Sequence, residues 1–158
     1  LDDELLYLSS YEEGAWRVLG LELETGELRR HLVSGANPEY PAQERYHALQ
    51  WAAGALFVCK EGRDGQVLRV DTSPAPALAW ALHNDFQWEI PPVLASDGLY
   101  VVHNLGDDLR VIDPQRGELL GAIPSRTGLY GKPAVTADAV YVLNGGGYLL
   151  KYAKSRAR

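Results

Sequence analysis

The sequence contains no methionine, one cysteine and only two phenylalanines. A single cysteine excludes an internal disulfide and any CxxC metal or redox site. Long uncharged runs are missing as well. The longest stretch free of Asp, Glu, Lys and Arg is Tyr46 to Cys59, well short of the roughly 20 apolar residues that a membrane-spanning helix needs. There is no basic excess: 15 Lys and Arg stand against 21 Asp and Glu, a net charge of −6. That balance excludes nucleic acid as the main partner. No segment shows a sustained 3.6-residue apolar period with caps, so helices are expected to be scarce. The lack of methionine, with leucine at position 1, reads as a trimmed or partial chain.

What the chain does have is a repeat. Its 158 residues, 46% hydrophobic and 23% charged, suffice for one domain with a buried core. A small-apolar-aromatic signal recurs as Leu6-Tyr7-Leu8, Leu56-Phe57-Val58, Leu99-Tyr100-Val101 and Val140-Tyr141-Val142. The aromatics lie 50, 43 and 41 residues apart. A second signal follows each one: Leu21-Glu22, Val70-Asp71, Ile112-Asp113 and Tyr152-Ala153, at steps of 49, 42 and 40. Two markers that drift together define a repeating unit.

Within a unit the pattern is strand-like. β-Branched and aromatic runs such as Leu99 to Val102 and Val140 to Leu143 are bounded by turn residues. Between the two markers lie Glu61-Gly62-Arg63-Asp64-Gly65, Asn104-Leu105-Gly106-Asp107 and Asn144-Gly145-Gly146-Gly147, which suit tight hairpins that tolerate positive φ. Four short antiparallel strands per 40–50 residues is the signature of a β-propeller blade. With strands lettered A to D outward from the axis, residues 1–158 form a single all-β propeller region of about four blades. Blade 1 is expected over about 1–34 (B-C-D), blade 2 over 47–83, blade 3 over 90–124 and blade 4 over 132–153 (A-B-C).

These residues carry a family resemblance. Pro92-Val93-Leu94-Ala95-Ser96-Asp97-Gly98-Leu99-Tyr100-Val101, followed by Leu109 to Leu119, resembles the repeat of the pyrroloquinoline-quinone-like (PQQ-like) propeller family. Lys132 to Tyr141 echoes its first half and Leu21-Glu22-Leu23-Glu24-Thr25-Gly26-Glu27-Leu28 its second. The family's blade-closing tryptophan is matched once, by Trp80, and Ser73-Pro74-Ala75-Pro76 replaces the Thr-Gly turn in blade 2. The resemblance implies a part of a larger, seven- or eight-bladed ring. With blade 1 entering at strand B and blade 4 ending at strand C, self-association through exposed blade edges, or packing against the rest of its own propeller, is expected.

Cofactor chemistry finds little support in the residues. Quinoprotein dehydrogenases of this family use a quinone, calcium ligands and often adjacent cysteines, whereas Cys59 is alone and reads as a buried small hydrophobe. His31, His47, His83 and His103 show no chelating spacing and read as surface or strand-edge residues. Asp107-Asp108, Glu12-Glu13 and Asp2-Asp3-Glu4 read as solvated turns. Asn144 to Gly147 leads into a strand and lacks the lysine of a phosphate loop, so it reads as a hairpin. No cofactor and no metal are expected, and no catalytic residue is assigned.

One constellation points to binding. The D-to-A connections and B-C hairpins of a propeller open on one face. Aligned on the aromatics, Tyr46, Glu89 and Tyr130 fall at one position just before strand A, with Arg45, Trp88 and Leu129 preceding them and Lys132 close by. Tyr, Trp and Arg are enriched in interface hot spots. Arg45, Tyr46, Trp88, Glu89, Tyr130 and Lys132 are therefore the expected protein-binding rim, and Trp88→Ala is expected to weaken a partner while sparing the fold. The expected function is a non-catalytic protein-binding scaffold, in cell-envelope assembly or as a sensor or docking domain. The resemblance implies an extracytoplasmic, periplasmic-type place. The alternative is a fragment of a PQQ-dependent quinoprotein oxidoreductase whose catalytic residues lie in other blades.

Overall fold

The computed structural model describes residues 5–12, 15–33, 46–61, 65–72, 77–84, 90–103 and 107–154. Fourteen strands and no helix form among them. Blade 1 holds β1 (Leu5–Glu12), β2 (Ala15–Glu22) and β3 (Leu28–Val33). Blade 2 holds β4 (Tyr46–Ala52), β5 (Ala55–Lys60), β6 (Gln66–Asp71) and β7 (Ala77–His83). Blade 3 holds β8 (Val93–Ala95), β9 (Gly98–His103), β10 (Asp108–Ile112) and β11 (Leu119–Pro124). Blade 4 holds β12 (Ala134–Val135), β13 (Ala139–Leu143) and β14 (Leu149–Ala153). Each blade is an antiparallel sheet in chain order, with three, four, four and three strands. The protein is an all-β propeller arc.

The two-residue alternation of a strand gives every blade two apolar faces, one turned back to the preceding blade and one forward to the next. In β5, Leu56 and Val58 point back into a cluster with Tyr7 and Val18 of blade 1. Ala55, Phe57 and Cys59 point forward into a cluster with Leu99, Val101 and Ile112 of blade 3. Tyr100, Val102 and Leu109 of blade 3 meet Val140 and Val142 of blade 4 in a third cluster. The repeated aromatic is thus the forward-pointing residue: Tyr7, Phe57 and Tyr100 are 9%, 2% and 3% exposed beneath the blade that follows. Burying a side chain of this size contributes about 2–3 kcal/mol.

Turn chemistry closes the blades on the opposite rim. In the C-D turn of blade 3, the Asp113 carboxylate accepts the backbone N–H groups of Gln115 and Arg116 and pairs with the Arg116 guanidinium at 2.9 Å. Those bonds hold the Asp113 carboxyl below its ordinary range, the backbone N–H of Arg116 foremost. Gly117 then turns at φ +71°, and its N–H returns to the Asp113 carbonyl. Blade 1 repeats the turn: Gly26 stands at φ +72° and donates to the Glu22 carbonyl.

Candidate functional site

The loop face is built where D strands run out beside B-C hairpins. Asn84 N–H donates to the Gly65 carbonyl at the end of blade 2, and Ser125 N–H to the Asp107 carbonyl at the end of blade 3. In blade 4 the connection from Ser125 to Pro133 is bound to the hairpin of Asn144 to Tyr148. Leu129 bridges Asn144, Tyr130 N–H donates to the Leu143 carbonyl, and Gly145 N–H donates to the Gly128 carbonyl. The Asn144 side chain accepts N–H groups from Gly146 and Tyr148, which fixes the hairpin.

That frame presents two tyrosines. Tyr130 is 52% exposed, and its ring lies on the backbones of Gly128 and Gly145. A Cβ at either glycine would stand 2.9 or 2.7 Å from the ring, so only glycine lets it lie flat. Tyr148, across the same hairpin, is 69% exposed. Lys132 follows on the connection and reaches the Gln50 side chain of β4 at 3.4 Å, which brings a cation toward the inner strand of blade 2. The arrangement offers two flat amphipathic rings and a cation on a rigid base, a chemistry of contact rather than of bond-breaking.

The expected rim residues fare differently. Arg45, Trp88 and Glu89 lie outside the described residues. Tyr130 and Lys132 sit on the loop connection of blade 4. Tyr46 does not precede its strand: it is the first residue of β4 and pairs with Lys60. In blade 4 the corresponding hairpin residue, Asn144, pairs with Leu129, which is fully buried. Tyr46 therefore matches Leu129 rather than Tyr130. An irregularity between His47 and Gln50 shifts the register of β4, and counting from the aromatic does not detect it.

A second polar cluster joins blades 2 and 3 near the same face. His103 at the end of β9 is 8% exposed, and its Nδ1 lies 2.7 Å from the carboxylate of Asp108, which opens β10. His103 is thus an interior residue rather than a surface one, and Asp108 belongs to a strand while its neighbour Asp107 stays exposed in the turn. The Arg110 guanidinium lies 3.4 Å from His103 Nε2 and donates to the His83 carbonyl and the Asn84 Oδ1, each at 3.0 Å. Because guanidinium only donates, Nε2 of the neutral ring accepts and Nδ1–H faces Asp108. A histidine–carboxylate pair can serve as a general base, but here the outer nitrogen faces an arginine in a closed site. The cluster ties two blades together. Alternation along β9 could have indicated that His103 faces inward; nothing local marks the contact from Arg110 to Asn84.

Cys59 is fully buried in the forward face of blade 2, its thiol facing the Ile90 carbonyl at 3.9 Å. Burial pushes the thiol far above its ordinary pKa. It is a small hydrophobe, and no adjacent cysteine exists to pair with it. Among the described residues no three His, Cys, Asp or Glu side chains converge as a metal site.

No protein-family model and no curated protein matches the sequence. Solved structures do resemble it. BamB from Moraxella catarrhalis, a β-propeller, superposes with a TM-score of 0.59 over 92% of this chain at 14% identity. The chain spans 42% of that protein's length. The computationally designed Ika4 protein superposes with a TM-score of 0.65 at 12% identity, over 93% of this chain and 89% of the design. At such identities the likeness speaks for the fold: the chain carries part of a propeller ring comparable to a portion of BamB.

Proposed function

We propose that the chain is a non-catalytic scaffold of the PQQ-like propeller type that holds another protein, or the remainder of its own propeller, on its loop face. The observation that carries this reading is the pair of exposed tyrosines, Tyr130 and Tyr148, seated on the glycine-rich hairpin of blade 4 beside Lys132. Rigid aromatic rings with a nearby cation are what protein hot spots are made of, and a short hydrogen-bonded hairpin pre-pays their ordering. Arg45, Tyr46, Trp88 and Glu89 complete the proposed rim along the same connections. The resemblance of the repeats and the likeness to BamB support a cell-envelope, extracytoplasmic setting. No helix of the described residues is long and apolar enough to cross a membrane.

The test compares proteins retained from a bacterial envelope extract by the immobilised wild type and by a Tyr130→Ala/Trp88→Ala variant. A partner held by the wild type and lost by the variant, with an unchanged thermal transition, is the expected result. Identical retention by both proteins would overturn the assignment of the rim.

A further inference from the structure

The repeat matches each forward-pointing aromatic with a backward-pointing aliphatic pair on the next blade. Tyr7 meets Leu56 and Val58, Phe57 meets Leu99 and Val101, and Tyr100 meets Val140 and Val142. Two members of this series have no match among the described residues. Tyr141, the forward aromatic of blade 4, belongs to none of the three clusters, and its ring carries only Lys151, whose Nζ stands 5.7 Å from the centroid. Its cross-strand neighbours on that face are Ala134, Leu143, Leu149 and Lys151. Leu143 and Leu149 are 47% and 66% exposed. At the other end of the arc, Leu6 and Leu8 form the backward pair of blade 1. They share their face with Leu19 and Leu21 by register, and Leu8 is 38% exposed.

The ends are also oppositely charged. Residues 1–33 carry eight carboxylates against three arginines, net −5, whereas residues 132–158 carry five Lys and Arg against Asp138, net +4. An apolar face that lacks its aliphatic partner thus sits in a basic segment, and the missing kind of partner sits in an acidic one.

We propose that a second copy of this chain supplies the match: blade 1 of each copy seats Leu6 and Leu8 on Tyr141, Leu143 and Leu149 of the other. The contact is head to tail and reciprocal, so two copies close a two-fold ring with no free blade face. The chemistry is that of the three blade junctions within the chain, continued between chains, with the charge asymmetry steering the encounter. In BamB a stretch like this one fills 42% of the chain, which sets the closing number at two. This proposal stands apart from the loop-face reading, because the blade faces and the Tyr130 rim share no residue.

Light scattering of the 158-residue chain from about 1 to 100 μM tests it, a range that spans weak to moderate dimer affinities. The expected result is a monomer–dimer equilibrium that weakens several-fold as salt screens the ends. Leu149→Glu, on blade 4, and Leu8→Lys, on blade 1, should each weaken dimerisation at least about thirtyfold, since each alters both contacts of the reciprocal dimer. Mixing the two variants should restore association, because one contact is then unaltered and the other sets the new charges opposite each other. A folded wild type that stays monomeric throughout overturns the proposal. So do a dimer indifferent to both substitutions and an open series of larger species. Thermal transitions of both variants, expected near the wild-type value at these exposed positions, separate lost association from lost folding.

Discussion

Trp80 and Gly117 are locked across the junction of blades 2 and 3. The indole lies so close that a Cβ at 117 would stand 2.6 Å from the ring, and Nε1 donates to the Pro114 carbonyl at 3.2 Å. Arg69 donates to the same carbonyl at 2.9 Å, so two side chains of blade 2 grip one turn of blade 3. Gly117→Ala, which meets both the indole and a φ of +71°, is expected to cost about 2 kcal/mol. Trp80→Phe should cost about 1 kcal/mol for the lost hydrogen bond. Urea unfolding of the two variants checks both values; an unchanged midpoint for Gly117→Ala would sink the lock.

The A-B turn of blade 2 offers a gain. Ala53 and Gly54 both adopt positive φ, +51° and +75°, the pattern of a type I′ hairpin. Alanine is strained there, whereas asparagine tolerates the left-handed region. Ala53→Asn should stabilise by about 0.5–1 kcal/mol, read as a raised denaturation midpoint with unchanged slope.

Arg110 is the strut between blades 2 and 3. Arg110→Ala removes the donors to His83 and Asn84 and is expected to cost about 2–3 kcal/mol. A double-mutant cycle with Asn84→Ala should show coupling of at least about 1 kcal/mol. Additive losses would mean that the two side chains act separately.

Asp97, Tyr100 and Lys154 set an acid limit between blades 3 and 4. Lys154 stands 2.9 Å from the Asp97 carboxylate and 5.1 Å from the Tyr100 ring, and Tyr100 donates to Asp97 at 2.9 Å. Partial burial opposes ionisation of Asp97, but the bonds from Lys154 and Tyr100 outweigh it and leave the carboxyl below its ordinary value. A depressed carboxyl pKa gives stability that is present above the unfolded value, about 3.9, and lost as pH falls through the folded one. Asp97→Asn should therefore lower the melting temperature at pH 7 and differ little from wild type near pH 2. An equal gap at both pH values would rule the pair out.

The buried thiol of Cys59 reports opening. A thiol reagent at pH 8 should label it roughly a thousandfold more slowly in the native protein than in denaturant. Rapid native labelling would place Cys59 at the surface.

The blades were legible because a strand's two-residue period and the Asn, Asp and Gly of its turns are local properties. Val140-Tyr141-Val142 announces a strand buried on two faces without reference to anything distant. The site was less legible for two reasons. The register shift in β4 is a backbone irregularity with no residue signature, so Tyr46 was aligned with Tyr130 when its pairing partner places it with Leu129. The interior role of His103 depends on Arg110 and on Asn84 at the end of another blade. Contacts between distant segments are set by packing, and a histidine alone does not declare them.

Each apolar cluster draws on neighbouring blades only, blade 1 with 2, 2 with 3, and 3 with 4. Stability in such a stack behaves like a one-dimensional chain of coupled units, a sum of blade terms and nearest-neighbour terms. Damage at an end frays a single unit, while damage at Phe57 or Leu99 uncouples the stack into halves that unfold separately. Native-state hydrogen exchange should therefore fall into tiers, with the strands of blades 2 and 3 the last to open.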